Sequence, residues 1–136
     1  MTNAHRLTAL LLPLVIGIGA AAVPALASAA SGQQMFLDNC SACHQPTGKG
    51  VKGAFPPLAG SPFVQGDPKA VMTTVLNGRG GMPAFKDDLI DADLAAILTY
   101  VRSSWGNNAS AIKPADVSAA RAAAKAGAKA RGLQAH

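Results

Sequence analysis

The clearest hydrophobic pattern in this chain is in "DADLAAILTYVRSSWGN". There Leu94, Ile97, Leu98 and Val101 fall at i, i+3, i+4 and i+7, the spacing of one buried stripe on an α-helix. Asp91 is the expected cap of this helix and Gly106 its stop. "GDPKAVMTTVLNG" predicts another helix by its punctuation. Asp67 suits the N-cap and Pro68 the first helical position, and Gly78 suits a left-handed C-terminal residue, so the helix ends at Asn77. A further helix is expected from Gly32 to about Ala42, with Met35, Phe36 and Leu37 as its apolar residues. The intervening "QPTGKGVKGAFPPLAGSPFVQG" is rich in Gly and Pro, lacks strand alternation, and reads as ordered loop. No segment calls for a β-strand and none repeats, so the fold class is all-α.

Both ends of the chain depart from this pattern. From Leu7 to Ala30 there is no charged side chain, and the run closes on Ala25-Leu26-Ala27 and Ala27-Ser28-Ala29, small-x-small steps of the kind a signal peptidase reads. Residues 1–30 are therefore an expected export signal, cut near 27–30, and the mature chain is expected in the periplasm; an uncleaved membrane anchor is the alternative. Beyond Asn107 the composition turns to alanine with scattered basic residues. Residues 107–136 are read as a solvated, partly frayed tail in which Arg121, Lys125 and Lys129 would form one basic stripe if helical.

This leaves one compact domain over residues 31–106. It is near the size below which an apolar core alone gives only about 3–5 kcal/mol. Its aromatic residues are Phe36, Phe55, Phe63, Phe85, Tyr100 and Trp105, few enough that something else is expected to fill the middle. Charge narrows the function. Within this segment six basic and six acidic residues cancel, so the net +5 of the whole chain sits at its ends. A globule with no basic face of its own is a poor binder of nucleic acid. Membrane association is expected only through an uncleaved signal or the basic tail.

The chemistry is concentrated in "NCSACHQPTGKG", which holds the only two cysteines, Cys40 and Cys43, followed at once by His44. A structural zinc ion needs four ligands, and the other histidines, His5 and His136, stand in the signal and at the terminus. A thioredoxin-like pair belongs after a strand, and none precedes Cys40. A disulfide across so short a loop would constrain little. C-x-x-C-H is the attachment signature of c-type haem, in which each thiol adds to a porphyrin vinyl group and the histidine becomes an axial ligand of the iron. A second axial ligand should then lie downstream on a loop. Met82 in "GRGGMPAF" fits, whereas Met35 and Met72 sit within helices. A ligating histidine also needs an acceptor for its other ring N–H, and the carbonyl of Pro56 in "FPPLAG" is the candidate. Phe55, Leu58, Phe63, Phe85 and Leu98 are candidates for an apolar shell around the ring.

These segments resemble the class I monohaem cytochromes c, and the resemblance covers Gly32 to about Asn107. It implies a cytochrome c fold, a few helices and ordered loops wrapped around one covalently bound haem c. Gly32 and Phe36 would cross Ile97 and Tyr100 where the first and last helices of that fold meet. "PPLAG" resembles the family's proline-containing loop, in which Pro56 O accepts from the histidine and Leu58 packs on the haem. "GGMPAF" resembles the loop that supplies the sixth ligand. "GRGGMPAF" and "LTYVRSSWGN" are most similar to small bacterial cytochromes and to cytochrome domains of periplasmic dehydrogenases and nitrite reductases. In those relatives a Ser or Thr often caps the last helix and a Thr often opens a tail helix, whereas Ile90 and Lys113 stand at those places here.

The implied function is that of a periplasmic electron carrier, not an enzyme. One electron at a time would pass through a haem held by Cys40 and Cys43 and ligated by His44 and Met82. The partners would be redox proteins, a donor dehydrogenase or cytochrome complex and a terminal reductase or oxidase. The alternatives are a haem subunit of a larger oxidoreductase and a haem protein that reacts with gases or peroxide.

Overall fold

A computed structural model describes residues 25–134 of the chain. Up to position 24, the expected export signal lies outside the described residues. Six helices follow one another: α1 (Ala25–Asn39), α2 (Ser41–His44), α3 (Pro62–Gln65), α4 (Pro68–Asn77), α5 (Asp91–Ser103) and α6 (Pro114–Gln134). Two isolated antiparallel bridges, Val51 with Phe55 and Arg79 with Met82, are the only β-pairing among the described residues, in keeping with an all-α fold.

α4 forms as its punctuation predicts. The Asp67 carboxylate accepts from the backbone N–H of Lys69 at 2.9 Å, Pro68 opens the helix, and Gly78 follows Asn77 with φ +71°. α5 buries the expected stripe of Leu94, Ile97, Leu98 and Val101. Its start corrects the sequence reading. The cap is Ile90, which offers no side-chain hydrogen bond, and Asp91 is already the first helical residue. The helix also ends at Ser103, before Gly106, because Ser104 turns extended and Trp105 takes φ +54°. The helix expected over Gly32 to Ala42 is longer and broken. Alanines carry α1 back to Ala25, and it stops at Asn39, with Cys40 between it and the single turn of α2. The stretch read wholly as loop contains α3, opened by Ser61, whose hydroxyl accepts from Val64 N–H, and by Pro62.

α1 and α5 cross at Gly32. A Cβ there would stand 2.3 Å from Ala96 O and 3.3 Å from Tyr100 Cβ, so only glycine lets the two backbones approach this closely. One turn on, Phe36 is fully buried, its ring centroid 5.6 Å from that of Tyr100 and 5.0 Å from that of Trp105. The crossing expected from the resemblance is thus present. Gly32→Ala should cost about 2–3 kcal/mol, because the atoms it meets first are backbone and cannot rotate away. Urea unfolding should show a lower midpoint with an unchanged slope; an unchanged midpoint would contradict the crossing as described.

The core has two parts. One joins Phe36, Val64, Ile97 and Val101, with Leu58, Tyr100 and Trp105 packed against it. The other joins Val71, Met72, Leu76, Leu94, Ala95 and Leu98 with Ile112 and Val117 from the C-terminal region. The second cluster corrects the reading of residues 107–136 as a solvated tail. Ile112 and Val117 are 5% and 0% exposed, and α6 packs on both α4 and α5. Among the described residues no helix is long and apolar enough to cross a membrane.

Candidate functional site

The cysteine motif is held by backbone geometry. Cys40 N–H donates to Phe36 O at 2.9 Å, and Cys40 O accepts from the N–H of Cys43 and of His44 at 3.3 and 3.0 Å, so both thiols and the imidazole sit on one tight turn. Ser41 Oγ donates to Leu37 O at 2.6 Å and ties that turn to α1. Both cysteines are free and half-buried. Burial, with Cys43 nearby adding a smaller contribution, pushes the Cys40 thiol up to about 11. Before any covalent attachment it is therefore a protonated thiol at neutral pH, not a thiolate poised for disulfide exchange.

His44 Nδ1 lies 3.1 Å from Pro56 O. An Nδ1–H donated to this carbonyl fixes the ring plane and leaves Nε2 as the nitrogen with a free lone pair. The loop that brings Pro56 there is pinned at several points. Gly50 N–H donates to His44 O at 2.9 Å, Val51 and Phe55 exchange backbone bonds of 2.9 and 2.8 Å, and Leu58 and Ala59 both donate to Gly48 O. Gly48 lies beneath Trp105, where a Cβ would stand 2.5 Å from the indole, and at Gly50 a Cβ would meet Phe55 O at 2.3 Å. Asn107 secures the far side, its amide donating to Leu58 O and Val101 O at 3.0 and 2.8 Å.

Met82 closes a small hairpin. Arg79 and Met82 exchange backbone hydrogen bonds of 3.2 and 3.1 Å, and Gly80 turns the chain with φ +58°. Gly78 fits beneath; a Cβ there would stand 2.6 Å from Met82 O. Phe85 N–H donates to Val75 O at 3.1 Å, which fastens the loop to α4. Met72, by contrast, is buried in the second core cluster, and Met35 packs against the first.

The side chains around these loops fit a large apolar group. Of the four phenylalanines only Phe36 is fully covered. Phe55 and Phe85 are half-buried and Phe63 is 43% exposed, with Leu58 and Met82 half-buried and Val51 42% exposed. Protein contacts alone leave this apolar surface unfinished, and it lies on the loops that carry Pro56 and Met82 and on α3. Leu98, expected in the same shell, is instead buried in the second core cluster at 3% exposure. Among the described residues no three His, Cys, Asp or Glu side chains are placed to share a metal ion, so Cys40, Cys43 and His44 are not arranged as zinc ligands. Two thiols, an imidazole and a thioether are the donors a covalently attached haem uses.

Sequence reasoning missed the glycines that let the loops close, Gly48, Gly50 and Gly78 in its second role beneath Met82, and it missed Asn107 as an anchor. Closely spaced glycines flanking a chemical motif were the available signal, but nothing local shows which backbone each one meets.

The chain is similar in sequence to known proteins. The family described as "Cytochrome C oxidase, cbb3-type, subunit III" matches residues 27–101. The chain is 36% identical over 91 residues to the alcohol dehydrogenase (quinone) cytochrome c subunit of Gluconobacter oxydans (strain 621H), covering 58% of this chain and 19% of that one. It is 35% identical over 114 residues to cytochrome c6 of Picosynechococcus sp. (strain ATCC 27264 / PCC 7002 / PR-6), covering 76% and 97%. It is 38% identical over 90 residues to the Cbb3-type cytochrome c oxidase subunit CcoP of Rhodobacter capsulatus, covering 59% and 30%. The chain spans about a fifth of the length of the dehydrogenase subunits it matches.

Proposed function

Because the chain belongs to the cytochrome c family and carries that family's covalently bound haem c, we propose that it moves single electrons between redox proteins in the periplasm. Cys40 and Cys43 would tether the group by thioether bonds, and His44 Nε2 and the Met82 sulfur would be its axial ligands. Pro56 O orients His44, and Leu58, Phe55, Phe63 and Phe85 exclude water from the ring. The bound iron supplies a one-electron couple, and a thioether ligand in an apolar surrounding favours its reduced form. With His44 and Met82 both holding the iron, no position on it would be left open for a substrate. The observation that carries this reading is the hydrogen bond from His44 to Pro56 O on the turn that holds both thiols. It fixes the imidazole on the same turn that carries the two thiols.

The haem-bearing unit is residues 31–106, with the C-terminal region added to it, and the apolar run ending in small residues near 27–30 supports export and cleavage. Donor and acceptor would be a dehydrogenase or cytochrome complex on one side and a reductase or oxidase on the other. A second reading, a haem subunit fixed in a larger oxidoreductase, draws support from relatives named as subunits of quinone-dependent alcohol dehydrogenase and of gluconate 2-dehydrogenase. The near-complete span of cytochrome c6 favours the free carrier.

Met82→Ala tests the ligand set. The reduced wild-type protein should not bind carbon monoxide, whereas the variant should bind it stoichiometrically and show a lower reduction potential. Carbon monoxide binding to the wild type would favour a gas-reactive haem instead.

A further inference from the structure

The loop that leaves Met82 ends at α5, and its last residues are gripped from outside by a single side chain. Arg121 on α6 directs Nε to Asp91 Oδ1 at 2.5 Å, Nη1 to Lys86 O and Nη2 to Leu89 O. All three of its nitrogens are used. The acceptors are two carbonyls of the segment between Met82 and α5 and the carboxylate on the first residue of α5. The pair is partly shielded from water, with Arg121 19% and Asp91 35% exposed. It is also the only salt bridge among the described residues. A planar guanidinium can satisfy three acceptors in one plane; an ammonium, a single point of charge, cannot.

Arg121 is itself held firmly. Val117, four residues before it, lies one turn back on the same face of α6. Val117 is fully buried in the cluster against which Ala120 and the loop residue Leu89 also pack. At its other end the loop is fastened by the Arg79 and Met82 hairpin and by Phe85 N–H to Val75 O. Between Phe85 and α5 its remaining backbone bonds are local, from Asp88 and Leu89 N–H to Phe85 O at 3.3 Å each. Beside the packing of Leu89 against the core, the fork of Arg121 is the hydrogen bonding that ties this half of the loop to α6.

We infer that Arg121 is a positioning residue for Met82, through which the C-terminal helix holds the Met82 loop closed. The inference rests on the reading of Met82 as an axial ligand. A thioether is a weak ligand that leaves the iron whenever its loop swings away, so a loop held at both ends keeps the sixth position filled.

The test uses full-length holoprotein carrying Arg121→Ala, Arg121→Lys or Met82→Ala, with Val64→Ala as a core-destabilised control. Backbone amide exchange is followed over residues 84–90, and carbon monoxide is titrated into the reduced proteins. Arg121→Ala should accelerate exchange in that segment roughly tenfold, as expected for losing charge-assisted hydrogen bonds. Carbon monoxide binding should also become detectable, at lower affinity than in Met82→Ala. Arg121→Lys should resemble Arg121→Ala, since it keeps the charge and loses the fork, and Val64→Ala should change neither readout. Unaltered exchange in Arg121→Ala overturns the inference, as does full rescue by lysine, or loop opening in Val64→Ala equal to that in Arg121→Ala. If Met82→Ala itself leaves carbon monoxide binding unaltered, the ligand assignment has failed. That outcome is distinct, because the exchange data then still report whether Arg121 grips the loop.

Discussion

A chain with both Cys40 and Cys43 replaced by serine is expected to lose its covalent haem and, with it, most of its helical far-ultraviolet dichroism. The reason is the state of the apolar side chains on the loops and on α3. Phe55, Leu58, Met82 and Phe85 are half-buried and Phe63 is 43% exposed by protein contacts alone. Completing the burial of each is worth about 1 kcal/mol, half of the 1.5–3 kcal/mol for a whole side chain. Together they are comparable to the margin of about 3–5 kcal/mol that a core of this size supplies. The rest of the core is two clusters, with Leu89 packed against both. Single Cys→Ser variants, which keep one tether, should fall between wild type and the double variant in melting temperature. A double variant that lacks bound porphyrin yet keeps the wild-type spectrum and melting transition would show that the polypeptide core suffices, and would remove the argument for a plate-like group as its centre.

What the sequence reveals and what it conceals divides along the range of the forces involved. α4 is legible because Asp67, Pro68 and Gly78 each act within a turn of the helix end, and α5 because its stripe repeats with the helical period. The cysteine motif is legible for a similar reason. Thioether chemistry fixes the separation of Cys40 and Cys43 locally, and the imidazole follows in the next residue. The mistaken cap at Asp91 shows the limit. An aspartate at a helix start is normally a good cap, but here it lies one residue inside and faces Arg121, a partner thirty positions away. The C-terminal helix is concealed more deeply. Its alanines mark no buried face, and docking depends on Ile112, on Val117 and on an arginine whose acceptors include the backbone carbonyls of a distant loop. No periodicity in the chain can show a carbonyl as a binding partner.

Arg102 continues the row Leu94 and Leu98 by a further four residues, and a charge at that step reads as the place where the buried stripe ends. It is 2% exposed instead. Its Nε donates to Ser110 O at 2.9 Å, its Nη1 to Val64 O and Gly66 O at 2.6 and 3.1 Å, and its Nη2 to Ser110 Oγ at 3.4 Å. One guanidinium therefore joins the end of α3, the start of the chain toward α6 and the body of α5, and it does so through neutral oxygens. Replacing it with methionine keeps an apolar stem but leaves three carbonyls, one buried and two partly buried, without these donors. Each lost bond weighs about 1 kcal/mol or more, against which the relief of burying no charge is set. The expected net loss is about 3 kcal/mol, seen as a fall in melting temperature on the order of 10–20 °C for a domain of this size. Arg102→Lys should recover only part of it, because an ammonium cannot reach acceptors spread on both sides of the fork. The loss should be accompanied by faster amide exchange in residues 61–66 and 108–112, the segments that Arg102 joins. Melting unchanged in Arg102→Met would mean that packing alone seats α3 and the C-terminal region on α5.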